Sequence, residues 1–235
     1  MEEKEFDKFA DEYYNMHAQN IAASGEGPEF FAEYKVSDVA LQLQAENARP
    51  RTILDFGSGV GNSIPYFRRY FPNAVLTCAD VSQRSLDVSR ERYPGNERYA
   101  QIVGDRLPFP DDSFDVVFSA CVFHHIPHEE HAHWLSELNR ATATGGKLFI
   151  FEHNPLNPLT VSAVRTCPFD ENARLINGWT FSRRIADARW SNVSVRYRIF
   201  FPRMLAVLRR LEPHLYSLPL GAQYFVSGQK VGVAA

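Results

Sequence analysis

The chain has 235 residues, 45% of them hydrophobic and 23% charged, with a net charge of −3. This balance suits one sizeable α/β domain, or one with a small cap. It excludes a run of ~18 apolar residues that could cross a membrane, and it excludes a continuous basic stripe for nucleic acid.

The first segment, "EFDKFADEYYNMHAQNIAAS", spaces apolar residues as a helix does, and "GEGP" breaks it. A second helix, "EFFAEYKVSDVALQLQAENA", stops near Pro50. The pattern then changes. "RTILDFG" is a short strand ending in a glycine turn, and "NSIPYFRRYF" a helix that tolerates Pro65 only in its early turns. "AVLTCAD" is a second strand, followed by a helix for which Ser82 is the expected N-cap. "YAQIVGD" is a third strand and "FDVVFSACVF" a near-continuous apolar one, as a central parallel strand should be. "HEEHAHWLSELNRAT" is a helix and "GGKLFIFEH" the next strand.

Strands alternating with helices of 10–15 residues imply a doubly wound α/β fold with helices on both faces. After residue 154 the alternation lapses into Pro/Asn-rich stretches, "NPLNPLT" and "TCPFDENARLINGWT". "FSRRIADARW" and "RMLAVLRRLE" are expected helices, and "SNVSVRYRIFF" and "QYFVSGQKV" expected strands. The expected sheet has seven strands, mostly parallel with an antiparallel edge strand, under an N-terminal helical cap. The expected division is a cap over 1–48, an α/β core over 49–154, an acceptor-side cap over 155–190, and C-terminal strands over 191–235.

Charge is unevenly spread. Residues 1–48 carry eleven Asp/Glu against three Lys, and residues 155–235 carry ten Arg and one Lys against four Asp/Glu. Either the two ends dock on each other, or some arginines face an anionic ligand. Cys78, Cys121 and Cys167 are too scattered for a disulfide framework. With an acidic, signal-free start they place the expected site of action in the cytoplasm.

Ligands of such sheets bind beyond the carboxyl ends of the strands. There, "LDFGSGVGN" alternates Gly57, Gly59 and Gly61, a G-x-G-x-G turn rather than the G-x-G-x-x-G of dinucleotide binders. Asp55 would repel a pyrophosphate but suits an ammonium group. Asp80 ends the second strand, where a carboxylate can accept both hydroxyls of a ribose, and Asp105 follows the third strand, in reach of an exocyclic adenine amine.

Together, "ILDFGSGVGNS", "ADVS", "GDRLPFPDDSFDVVFSACVFHHIP" and "ATATGGKLFIFEH" resemble the class I S-adenosylmethionine-dependent methyltransferases, in particular the small-molecule subgroup related to quinone-biosynthesis methyltransferases. The pieces keep the family's order over about residues 50–154; "GDRLPF" is shorter than its usual counterpart. The resemblance implies S-adenosylmethionine as cofactor and S-adenosylhomocysteine as product. It implies that Asp55, Gly57, Gly59 and Gly61 hold the methionine end, Asp80 the ribose, and Asp105 and Arg106 the adenine, with Val81 also in the cofactor site. Ala120 and Cys121 would lie under the sulfonium, and Tyr14 (with Tyr13) on the first helix would close over the cofactor.

Methyl transfer needs alignment and, for a hydroxyl acceptor, removal of a proton. His124, His125, Glu152 and His153, where the fourth and fifth strands end, are the candidate bases, and the three histidines are the candidate catalytic residues; His124 and His125 read equally as turn residues on the rim of the site. His128, His131 and His133 lie past Pro127 in a helix start and are expected to face solvent. No metal is expected: His125, His128 and His131 straddle that boundary, and no further cysteine or histidine pair completes the set. Arg165, Arg174, Arg183 and Arg184 point to an anionic or sugar-bearing acceptor. The expected partner is a small-molecule acceptor, O-methylated rather than N-methylated, with no nucleic acid and no membrane insertion. The alternatives are a nicotinamide-dependent oxidoreductase and a non-catalytic nucleoside-binding relative of the fold.

Overall fold

The computed structural model describes residues 20–21 and 24–232. The expected first helix, with Tyr13 and Tyr14, lies outside these residues. Seven strands form one sheet: β1 Thr52–Phe56, β2 Val75–Asp80, β3 Arg98–Gln101, β4 Phe114–Ala120, β5 Thr142–His153, β6 Trp190–Arg198 and β7 Gln223–Lys230. Their order is β3-β2-β1-β4-β5-β7-β6. β1 pairs in parallel with β2 and β4, β2 with β3, and β4 with β5; β7 runs antiparallel to both β5 and β6. This is the expected mostly parallel sheet, with its antiparallel pairing confined to the late edge.

The helices are α1 Pro28–Ala45, α2 Ile64–Tyr70, α3 Gln83–Arg92, α4 His131–Ala141, α5 Pro158–Thr166 and α6 Gly178–Asp187. Strand side chains alternate between two apolar layers. On one face Val36, Ile53, Phe67, Leu86, Val116 and Phe149 join α1, α2 and α3 to the sheet. On the other Leu54, Trp134, Leu135, Val117, Phe181 and Tyr224 join α4 and α6. Each fully buried Leu, Ile or Phe contributes roughly 1.5–3 kcal/mol, so the sheet centre is rigid and holds its strand ends in register.

Local chemistry sets the boundaries. Ser82 caps α3, accepting the N–H of Ser85 at 2.9 Å. Pro65 sits in the first turn of α2. "NPLNPLT" is more than a connection: Asn157 accepts the N–H groups of Leu159 and Thr160 and starts α5, with Pro158 in its first turn. Three expectations shift. β3 ends at Gln101, four residues before Asp105. α4 starts at His131 rather than at Pro127 and ends at Ala141, where the Thr142 hydroxyl returns to the Leu138 carbonyl at 2.6 Å. The expected helix over "RMLAVLRRLE" is a 3₁₀ span, Arg203–His214, broken at Leu205 and containing Pro213. Met204 (86%) and Val207 (72%) stay exposed there, so no packed apolar stripe favours a regular α-helix.

Candidate active site

β1 and β4 are adjacent but lead to helices on opposite faces. Their carboxyl ends therefore open a crevice at the switch point of the sheet. A cavity of about 350 Å³ fills it, lined on one side by Asp55, Gly57, Gly59 and Asp80, and on the other by Cys121, His124, His125, His153 and Asp170.

The glycine turn divides its labour. Gly59 has φ +52°, and a Cβ there would meet nothing within 4 Å, so this backbone faces open cavity. Gly61 does not line the cavity; a Cβ on it would strike the Ser89 hydroxyl and, at 2.8 Å, Ile64 Cδ1, so this position serves close packing on α3. Asp80 ties the turn together. One carboxylate oxygen accepts the Gly59 N–H at 2.8 Å and the other the Ser82 N–H at 2.9 Å, and the side chain lines the cavity. Asp55 is buried (2% exposed), and among the described residues its Oδ2 has no hydrogen-bond partner. Burial, with Asp80 nearby, pushes its carboxyl up to about 8, against the pull of Lys35. A buried carboxyl beside an open glycine backbone fits an ammonium-bearing tail, and Asp80 fits a ribose. These features fit S-adenosylmethionine.

The opposite wall is built by the ends of β4 and β5. Cys121 has left-handed backbone, φ +59°, rare for a residue with a side chain, which projects its sulfur into the cavity. Lys35 of α1 donates to that sulfur at 3.5 Å and the Gln223 amide approaches it at 3.9 Å. Gln223 in turn stands 3.4 Å from His153 Nδ1 and accepts from the Tyr34 hydroxyl. Burial pushes the Cys121 thiol up, but Lys35 and His153 outweigh it and bring it down to about 7.

A fully buried Glu152 organises the next turn. Its Oε1 accepts the N–H groups of Val122 (3.0 Å) and Phe123 (2.7 Å), and its Oε2 lies 2.6 Å from His124 Nδ1. His124 Nε2 and His125 Nε2 each lie 3.4 Å from Asp170 Oδ1. Burial opposes a charge on His124, yet Glu152 and Asp170 raise it well above the usual imidazole range. Burial and the neighbouring His124 lower His125 to about 3, which makes it a weak proton acceptor at neutral pH.

Several expected residues lie elsewhere. Asp105 and Arg106 are exposed and do not line the cavity. β3 stops short of them, the loop turns so that Leu107 is buried, and the Asp105 carbonyl bonds to His133. Ile102 lines the cavity in their place. Arg165, Arg174, Arg183 and Arg184 do not line it either. Arg184 instead bonds to His131 Nδ1 at 2.9 Å, and the Arg174 backbone N–H to the His124 carbonyl at 2.7 Å. His131 is not solvent-facing. It is fully buried, with Nε2 at 2.9 Å from the Phe123 carbonyl and 3.1 Å from that of Ile126. His128 is half-buried and His133 exposed. Lys35, Glu152, Asp170 and Gln223 reach the site or hold it, and sequence reading did not place Lys35, Asp170 or Gln223 there. They come from α1, β7 and a 3₁₀ turn far along the chain. Only a lysine inside an apolar helical stripe, Lys35 between Ala32 and Val36, was a visible signal.

Residues 54–150 match the family described as a methyltransferase domain. The ubiquinone/menaquinone biosynthesis C-methyltransferase UbiE of Ectopseudomonas mendocina is 31% identical over 135 residues, which cover 54% of this chain and 52% of that protein. Its counterpart from Hahella chejuensis is 31% identical over 119 residues, 48% and 47% of the two chains. The chain thus spans about half the length of the curated relatives it matches. A methyltransferase structure from Thermotoga maritima aligns at TM-score 0.65 and 16% identity over 97% of this chain and 99% of that one. Phosphoethanolamine N-methyltransferase 2 of Haemonchus contortus, in complex with S-adenosyl-L-methionine, aligns at 0.65 and 19% identity over 97% and 60%. These structural likenesses establish the fold.

Proposed function

We propose that the chain transfers the methyl group of S-adenosylmethionine to a small-molecule acceptor, a reading supported by the methyltransferase-domain match of residues 54–150 and by relatives named as quinone-biosynthesis C-methyltransferases. The observation that carries this reading is the two-sided cavity: a glycine turn with Asp55 and Asp80 on one wall, and an imidazole-rich wall facing it.

In this assignment Asp80 takes the ribose hydroxyls, Gly57 and Gly59 admit the methionine tail, and Asp55 takes its ammonium group. Lys35, lying between Asp55 and Cys121, takes the tail carboxylate. Val81 and Ile102 flank the adenine. Bound there, the cofactor supplies a sulfonium methyl that transfers by in-line displacement, so the protein mainly aligns acceptor and methyl. Ala120 and Cys121 mark the transfer point. The acceptor then lies toward α5, against the apolar Leu159, Val164 and Phe200. His153 faces it from the end of β5 and is placed to take the proton of an acceptor hydroxyl.

The expected acceptor is a hydroxyl-bearing, partly apolar small molecule, methylated on oxygen. The names of the curated relatives favour a second reading, methylation at carbon. The three cysteines, none in a disulfide among the described residues, suit a reducing cytoplasm as the place of reaction, and among the described residues no helix is long and apolar enough to cross a membrane.

Calorimetry with S-adenosylmethionine and S-adenosylhomocysteine tests the cofactor assignment. Wild type should bind both, and Asp80→Ala should lose about 10-fold to 100-fold in affinity, the worth of charge-assisted hydrogen bonds. No binding by wild type would sink the reading. Methyl transfer to phenolic and enolic acceptors, with the labelled product read by NMR, separates oxygen from carbon.

A further inference from the structure

Two adjacent histidines and a carboxylate far along the chain converge on one point of the acceptor-side wall. His124 Nε2, His125 Nε2 and Asp170 Oδ1 all lie within 4.8 Å of one another. Both imidazole nitrogens stand 3.4 Å from the carboxylate oxygen. Around a divalent ion with bonds of about 2.1 Å, neighbouring ligand atoms are about 3.0–3.4 Å apart, so both histidine–carboxylate pairs already stand at ligand spacing. We propose that His124, His125 and Asp170 form a two-histidine, one-carboxylate site for a divalent transition metal, zinc or one of its neighbours, and that this metal takes an oxygen of the acceptor.

The supporting shell is already in place. Glu152 lies 2.6 Å from His124 Nδ1. A carboxylate there orients the ring, the arrangement that steadies metal-bound histidines, and a metal at Nε2 would displace the proton that His124 carries there in the free protein. Glu152 is in turn held by the N–H groups of Val122 and Phe123, at 3.0 and 2.7 Å. The Arg174 N–H fastens the His124 carbonyl at 2.7 Å, and the His125 N–H donates to the Val122 carbonyl at 3.0 Å. The ligand-bearing turn is thus tied on three sides, while Asp170 arrives on the short 3₁₀ turn Pro168–Asp170 after α5. Two imidazoles and one carboxylate suit zinc, iron, cobalt or nickel rather than calcium or magnesium. Three protein ligands leave positions open to a small molecule, and all three residues line the cavity.

The metal would hold a hydroxyl or carboxylate oxygen of the acceptor on the far side of the cavity from the glycine turn. That role rests on the methyltransferase reading; the metal site itself does not. The test uses the full chain, stripped with a chelator and titrated with cobalt(II) by absorbance and with zinc against a chromogenic chelator. One equivalent should bind. Asp170→Asn and His125→Ala should each weaken binding by 30-fold or more, with circular dichroism and melting temperature showing that both variants fold. Calorimetry with S-adenosylmethionine, run alongside, should give the same affinity for Asp170→Asn as for wild type. Absence of stoichiometric metal on wild type, or binding by both variants as tight as by wild type, overturns the inference. A chain that binds S-adenosylmethionine but no metal leaves the methyltransferase reading standing and removes only the metal; one that binds metal but neither S-adenosylmethionine nor its product does the reverse.

Discussion

Asp55 shows how one buried side chain couples ligand binding to pH. Burial and Asp80 raise its carboxyl to about 8, so at pH 7 it is mostly protonated in the free protein. An ammonium group beside it favours the ionised form. Binding of S-adenosylmethionine at pH 7 should therefore release a proton, seen as a dependence of the calorimetric heat on buffer ionisation enthalpy. Affinity should rise with pH up to about 8, by up to roughly tenfold per pH unit. Asp55→Asn should abolish both effects; retention of either would remove Asp55 from the binding role. Much of this residue was legible in sequence. An acidic side chain inside a strand, just before a glycine turn, is out of place unless something there needs it. Its raised proton affinity was not legible, because it depends on how completely β2, β4 and α1 cover it.

At the scale of elements, the turn from β1 into α2 carries three glycines with two different tasks. Gly59 opens onto the cavity, and Gly61 lets α3 approach. Gly61→Ala should cost about 1–3 kcal/mol, through left-handed strain and collision with Ser89 and Ile64. Urea unfolding of the variant checks it, and an unchanged midpoint would contradict the packing role. The histidine-rich stretch divides differently from its sequence pattern. His124 and His125 form the rim, as one reading of the sequence allowed, but His131 belongs to the core. It is the first residue of α4 and caps the turn before it through the carbonyls of Phe123 and Ile126. A helix start read only from Pro127 puts that face in solvent. The 128–130 turn and the packing of Phe181 against His131 put it inside.

For the whole molecule, the charge asymmetry between the two ends has two structural counterparts among the described residues: Arg209 lies 2.8 Å from Glu26, and a second, more buried pair joins α1 to β6. Asp38 on α1 meets Arg198 at the end of β6, with Oδ1 accepting from Nη2 at 2.9 Å and Oδ2 2.6 Å from Nε. The pair is largely buried, and Arg198 also stacks on Tyr216 with its guanidinium carbon 4.4 Å from the ring centroid. Burial outweighs Arg198 and raises the Asp38 carboxyl from 3.8 to about 6. A carboxyl with a raised folded-state value stabilises the protein below its unfolded value and loses that contribution as pH rises through the folded one. Asp38→Asn should therefore gain on wild type by up to roughly 3 kcal/mol between pH 4 and pH 8. Urea unfolding across that range measures the difference, and a constant gap would contradict the assignment.

What the sequence determined by itself is what depends on near neighbours in the chain: the βαβ rhythm, the glycine turn, the Ser82 cap, and the carboxylates at the ends of β1 and β2. Each is fixed by a periodicity, a backbone requirement or a strand end that a few consecutive residues express. Only the tertiary structure decided which distant segments complete the cavity. β3 stops early and leaves Asp105 outside it; α1 delivers Lys35, β7 delivers Gln223, and the turn after α5 delivers Asp170 to the two histidines. The physical reason is that these positions are set by how helices and strands pack across the sheet, and no local pattern encodes the distance between His124 and a carboxylate 46 residues further along the chain.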